Sequence, residues 1–379
     1  MNYDTRFPCI SDLKIRAKRR IPDFAFDYVD GGIDEEDGKQ RNRDAWREIE
    51  LTPRYLVDVS SADLSTTIFG KTYSMPFGVP PVGLGNMMWP GAEMALATAA
   101  QKANIPYILS TYSTTDLAEI AAAAPDVCWF QLYVPEKIDT MKDLIKRAKE
   151  AGYHALVVTL DIPVGAKRNR ELKNNLKLPF NMTPNIIWQS AIHPAWALTT
   201  LRHGRPDFVN INRYKERPDE GLAEMLTKFN MKGVTRERVE MMRDLWDGPL
   251  ILKGVQYEAD MKAAVDIGVD GVIISNHGGR QLDAAPASAV SLRQLASYAS
   301  DQLTVMADSG IRTGLDVVRA KALGANMCFS GRSFFWGMGA LGPNGAEQVM
   351  AIFHDEIDKC LKQLGCSSHE SMDSSWLAN

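Results

Sequence analysis

His277 and Arg280 stand three residues apart in the stretch Ser275-Asn-His-Gly-Gly-Arg-Gln-Leu-Asp283. Histidine can take up a proton near neutral pH. Arginine is a fixed cation whose fork suits a carboxylate or phosphate. Together they supply a base and an anion clamp, which is what proton abstraction beside a carboxylate requires. The stretch follows Gly271-Val-Ile-Ile274, a short apolar, β-branched run that reads as a buried parallel strand. The two glycines after His277 permit a tight turn and a close approach to a ligand. Taken alone, such a pair is more often an ordinary strand-to-helix turn with a solvated His and Arg, because turns commonly carry polar residues, so the rest of the chain has to decide.

Further candidates lie elsewhere. Asp161-Ile-Pro-Val-Gly-Ala-Lys-Arg168-Asn-Arg170 places a carboxylate and several arginines after another apolar run. Asp161 could orient a histidine and stabilise its imidazolium, and Arg168 could be a second carboxylate ligand. A turn-forming Asp and a solvated basic face explain the same residues. Asp308-Ser-Gly310-Ile-Arg312 and Ser330-Gly331-Arg332 each combine glycine with arginine. Backbone N–H groups beside small residues, with arginine to neutralise charge, make a phosphate site.

The elements that position these residues show a rhythm. Short apolar runs at 77–82, 107–110, 127–133, 155–160, 249–253, 271–275, 303–307 and 326–330 alternate with helix-length, alanine-rich segments. Such alternation implies right-handed βαβ units. Eight runs in one chain predict a closed (β/α)8 TIM barrel. The first run is followed by Pro81-Val82-Gly83, and polar or charged residues end the others: Ser110, Gln131 with Tyr133, Thr159 with Asp161, Lys253, Ser275 with His277, Asp308 and Ser330. Active sites of such barrels sit at the C-terminal ends of the strands.

Three helices are expected before the barrel, with a hairpin at 64–75 turning at Gly70-Lys71, so that residues 1–75 cap a barrel of 76–360 and 361–379 form a tail. The helix starts are read at Ser11-Asp12, Pro22 and the acidic stretch Asp34–Asp37. A long insertion follows the fourth strand, at about 172–248. Its part 176–205 is apolar, rich in tryptophan and proline, and ends basic. It suits a lid and subunit contact first, and a peripheral membrane contact second.

The net charge of −4, from 43 basic and 47 acidic residues, argues against a general nucleic-acid partner. Five scattered cysteines match no disulfide framework or metal spacing, which favours a reducing, cytoplasmic setting. No secretory leader is read at the N-terminus, and no apolar run spans a bilayer.

With these residues in place the chain resembles the FMN-dependent (S)-2-hydroxy-acid oxidases and dehydrogenases, which include glycolate oxidase, L-lactate dehydrogenase and mandelate dehydrogenase. The segment 275–283 carries the specific motif, and the likeness runs from about Ile10 to Cys360. The resemblance implies oxidation of a 2-hydroxy acid to a 2-oxo acid, with His277 as base, Asp161 as its orienter, Arg168 and Arg280 on the carboxylate and Tyr133 bonding the substrate. It implies FMN held by Pro81, Val82, Gly83, Ser110, Gln131, Thr159, Lys253, Ser275 and Asp308, with Gly310, Arg312, Gly331 and Arg332 around its phosphate. It also implies a homotetramer.

Departures from the family pattern bear on the substrate and the acceptor. Phe26 stands where many members have an active-site tyrosine, so one substrate hydrogen bond is expected to be lost. Tyr112 replaces a tryptophan of glycolate oxidase. Gly83, alanine in many oxidases, leans towards a quinone or other acceptor instead of oxygen. The segment Asn86-Met-Met-Trp89-Pro90 places bulky groups either near an aromatic or hydrophobic side chain of the substrate or simply in the core. The rival readings are a peroxide-forming oxidase, a type 2 isopentenyl diphosphate isomerase and a non-catalytic flavin-binding barrel, which would bind flavin without being bleached by a 2-hydroxy acid.

Overall fold

The computed structural model describes residues 4–176, 182–204, 206–215, 233–299 and 303–378. Parts of the insertion expected over 172–248, namely 177–181, 205 and 216–232, therefore lie outside the described residues.

Three helices lead the chain: α1 (Ile10–Arg20), α2 (Asp23–Asp30) and α3 (Asp37–Arg47). Helix α1 is capped two residues before the expected Ser11, at Cys9, whose side chain makes no capping bond. The acidic stretch does not start α3 as a whole. Asp34 and Glu36 adopt left-handed φ of 47° and 67°, and only Asp37 enters the first turn. Strands β1 (Thr66–Ile68) and β2 (Lys71–Tyr73) then form the hairpin, turning through Phe69 and Gly70, both at positive φ.

Eight further strands make the barrel: β3 (Phe77–Gly78), β4 (Tyr107–Ser110), β5 (Cys128–Leu132), β6 (Ala155–Thr159), β7 (Leu250–Val255), β8 (Gly271–Ile274), β9 (Thr304–Ala307) and β10 (Met327–Phe329). All neighbours pair in parallel, in the order β3-β10-β9-β8-β7-β6-β5-β4. The Val79–Tyr107 bridge joins the two ends, with Val79 N donating to Pro106 O at 2.8 Å and Ile108 N to Val79 O at 3.0 Å. The result is the (β/α)8 TIM barrel that the alternation predicted. Its strands are buried on both faces, which is why they read as unbroken apolar runs.

The N-terminal helices are bound to the barrel's last helices. Arg16 Nε and Arg20 Nη1 of α1 donate to the carbonyls of Ala340 and Gly339, at 2.9 and 3.1 Å, in the helix Gly331–Leu341. The C-terminal residues fold back, with Thr52 N donating to Trp376 O at 2.8 Å and Arg54 lying over the Trp376 ring. The insertion between β6 and β7 contributes the helices Asn169–Lys173, Pro184–Ala191, Pro194–His203 and Val209–Asn212. No helix among the described residues is long and apolar enough to cross a membrane.

Candidate active site

The strand ends converge on a cavity of about 430 Å³. His277 lines it, and its Nδ1 lies 2.9 Å from Asp161 Oδ1. Strand β8 ends just before His277, and residues 277–279 all take left-handed φ, at 57°, 69° and 70°. A non-glycine residue is strained there. The left-handed turn brings the imidazole to Asp161, which follows β6. Asp161 reaches this place because β7 bulges at Gly254 (φ 102°), where an added Cβ would lie 2.6 Å from Asp161 Cβ.

The electrostatics suit a base. Burial pushes the His277 pKa down, and this outweighs the opposing pull of Asp161. The ring is therefore neutral at pH 7. With Nδ1–H given to the carboxylate, Nε2 is left as proton acceptor. Asp161 is raised by burial, but His277 and Lys253 carry it below its usual value, so it stays ionised.

Arg168 and Arg280 stand beside this pair and line the cavity. Arg280 Nη1 donates to Gly31 O at 2.8 Å, its guanidinium lies 5.4 Å from the Tyr28 ring centre, and Arg168 Nε reaches Arg280 O at 3.4 Å. Both guanidiniums also reach Glu171 Oε1. Tyr133 lines the same cavity and stacks on Tyr112 at 4.7 Å between ring centres. The Tyr112 hydroxyl is buried with no hydrogen-bond partner among the described residues.

Lys253 is buried at the end of β7, 2.8 Å from Asp308 Oδ2 and 3.0 Å from Ser275 Oγ. Burial alone would lower its pKa, but Asp308 and Asp161 raise it, so the ammonium is kept. Behind the wall Ser110 Oγ donates to Gln131 Oε1 at 3.1 Å and Gln131 Nε2 to Thr159 Oγ1 at 2.9 Å, linking three strand ends. Pro81, Val82 and Gly83 form one side of the cavity. Facing them, Gly331 opens the helix Gly331–Leu341, and a Cβ there would come within 3.3 Å of Val82 and 3.4 Å of Pro80. Gly310 (φ 91°), Arg312 and Arg332 complete this end.

Every residue anticipated from the sequence is thus at or directly behind one cavity, except Phe26. Phe26 is buried in the core and does not line it. Tyr28 does, and its hydroxyl donates to Gly83 O at 3.0 Å. Residues two apart on a helix point roughly opposite ways, so counting to 26 instead of 28 chose the wrong face of α2. The expected loss of a tyrosine is corrected: the tyrosine is present. Met87, Met88 and Trp89 are likewise core residues away from the cavity, so the packing reading of 86–90 is the right one. Glu171 was missed, although its i,i+3 spacing from Arg168 is the usual signature of a helical ion pair.

The family model described as FMN-dependent dehydrogenase matches residues 17–379. The chain belongs to the FMN-dependent dehydrogenase family. It is 35% identical over 370 residues to the (S)-mandelate dehydrogenase of Pseudomonas putida, covering 98% of this chain and 93% of that protein. It is 38% identical over 362 residues to an L-lactate dehydrogenase of Vibrio parahaemolyticus, covering 94% and 95%. Its structure is similar to that of a monotopic membrane protein, (S)-mandelate dehydrogenase, with a TM-score of 0.93, 34% identity and coverage of 99% and 100%. The protein is an FMN-dependent oxidoreductase acting on a CH–OH group. The residues present fit that cofactor: a charged, buried lysine stands at one strand end, and a helix N-terminus with glycine at its head and two arginines nearby stands at another.

Proposed function

We propose that the enzyme oxidises an (S)-2-hydroxy acid, with a lactate-like or mandelate-like side chain, to the 2-oxo acid and passes the electrons to an acceptor other than oxygen, such as a quinone. The observation that carries this reading is His277, held by Asp161 at 2.9 Å, lining one cavity with two half-buried arginines. Arg168 and Arg280 hold the substrate's carboxylate. Tyr133 bonds its oxygen, and Tyr112 offers an aromatic face and a hydroxyl to its side chain. His277 Nε2 accepts a proton from the acid as it is oxidised, and the ionised Asp161 stabilises the imidazolium that results. Fixing the acid against the base supplies much of the barrier reduction.

FMN, when bound, takes up the two electrons lost by the acid and hands them on. Pro81, Val82, Gly83, Ser110, Gln131, Thr159, Lys253 and Ser275 would hold its ring, with the Lys253 charge favouring an anionic reduced form. Asp308, Gly310, Arg312, Gly331 and Arg332 would hold its ribityl phosphate. The names of the relatives and Gly83 both favour a dehydrogenase over an oxidase.

The helices Pro184–Ala191 and Pro194–His203 are proposed to touch a membrane surface at its inner face. They expose Ile187, Trp188, Leu198 and Leu201, the last at 80%, and Arg202 and His203 end the second helix. A quinone acceptor would be reached from such a position. A homotetramer is the assembly proposed from the family resemblance.

The test is anaerobic stopped-flow of the FMN-loaded protein with (S)-lactate, glycolate, (S)-mandelate and a long-chain 2-hydroxy acid, followed by oxygen. Bleaching by one acid and slow recolouring in air support the reading. Quick recolouring makes the enzyme a peroxide-forming oxidase instead. A flavin bleached by none of them overturns the reaction.

A further inference from the structure

A carboxylate of the chain itself already bridges the arginine pair. Arg168 caps the short helix Asn169–Lys173, and Glu171 follows within its first turn. Glu171 Oε1 lies 3.2 Å from Arg168 Nη1 and 3.2 Å from Arg280 Nη2. The side chain is 20% exposed and lines the cavity with His277. One carboxylate oxygen between two guanidiniums is the same chemistry that the carboxylate of a 2-hydroxy acid would bring.

The helix and both arginines are also held by contacts other than Glu171. The neighbouring Arg170 is ion-paired with Asp27, Asp30 and Glu36, and Asn174 Nδ2 donates to Asp27 Oδ2 at 2.8 Å, which ties the helix to α2. Arg280 is anchored by Gly31 O and the Tyr28 ring, and Arg168 by Arg280 O. What Glu171 adds is charge. Two half-buried cations stand side by side, and Arg280 is pushed down to about 9, first by desolvation and next by Arg168, with Glu171 opposing. Removing that one negative charge leaves a more positive cleft with its donors still in position.

We propose that Glu171 is an internal competitor: its carboxylate shares the arginine pair with, and gives way to, the carboxylate of a bound acid. The competition weakens the hold on every carboxylate ligand, substrate and product alike, and so favours release of the 2-oxo acid after each turnover. This rests on the reading that Arg168 and Arg280 bind the substrate's carboxylate.

The experiment titrates the FMN-loaded full-length protein with oxalate, a dicarboxylate with no α-hydrogen to lose, and follows the perturbation of the flavin spectrum. Glu171→Gln should lower the Kd for oxalate about tenfold, the scale of one charge-assisted hydrogen bond, and steepen its dependence on salt. Glu171→Ala, which removes both charge and reach, should move the Kd in the same direction. Loss of a merely structural contact would weaken binding, so an unchanged or raised Kd in both variants overturns the proposal. Arg280→Met separates the two failures. If it weakens oxalate while the Glu171 variants bind no tighter, only the competitor falls. If it leaves oxalate binding untouched, the carboxylate site itself is misassigned.

Discussion

The cavity holds two pairs of arginines, and they are treated differently. Arg280, Arg312 and Arg332 are alike in being pushed down by burial, to about 9, 10 and 9. Their partners differ. Arg168 and Arg280 share the Glu171 carboxylate. Arg332 donates to three backbone carbonyls, those of Val29, Gly31 and Gly278, at 3.0, 2.7 and 2.8 Å. Arg312 reaches Ile311 O and Ser330 Oγ. Among the described residues neither Arg312 nor Arg332 is ion-paired with a carboxylate, and both stand near the N-terminus of the helix Gly331–Leu341, whose dipole adds to the positive potential. A site that keeps a phosphate gains from uncompensated charge. A site that must bind and release an acid in every cycle gains from an anion already in place.

The comparison can be broken in several ways. The largest expected effect is at the turnover end: His277→Gln should slow anaerobic flavin reduction by up to about 10⁴-fold while the protein stays yellow. Loss of the flavin together with the activity would blur the division. Next, Arg280→Met should raise KM and lower turnover together, by on the order of 10²-fold in kcat/KM. Unchanged kinetics would remove Arg280 from the substrate site. At the other end, Arg312→Ala should weaken FMN binding by roughly tenfold, read by fluorescence titration of the apoprotein. An Arg312→Ala protein that lost oxalate binding while keeping its FMN affinity would erase the distinction between the pairs.

The smallest effect is a position on the pH axis. His277 works as a base only when neutral, and its pKa in the fold lies below the usual 6.5. The reduction rate should therefore hold as pH falls through 6.5 and be lost only at lower pH. An acid limb above 6.5 would mean that Asp161 outweighs burial at His277.

Much of this was legible in the sequence, and for a physical reason. A buried parallel strand reads as an unbroken apolar run, and its end is where polarity returns abruptly, as at Ile274-Ser275. His277 and Arg280 lie within six residues of such an end, so local reading found them. Arg168 and Asp161 follow the end of β6 in the same way. What was not legible came from segments that meet only in the fold. The Gly31 carbonyl that takes both Arg280 and Arg332 lies more than 240 residues from either. Tyr28 was passed over for Phe26 because the face of an eight-residue helix cannot be told until its partner is known. For Trp89 the sequence leaves substrate contact and core packing open, and in the fold it is buried under the Arg20 guanidinium at 3.9 Å.

The central claim, that this cavity oxidises an (S)-2-hydroxy acid through its base and arginine clamp, is tested most directly by anaerobic single-turnover reduction with the two enantiomers of mandelate and of lactate. The (S)-enantiomer of at least one acid should bleach the FMN fast, and its (R)-enantiomer should not. Equal bleaching by both enantiomers, or bleaching by neither, would contradict the assignment of Arg168, Arg280 and His277 to one bound acid.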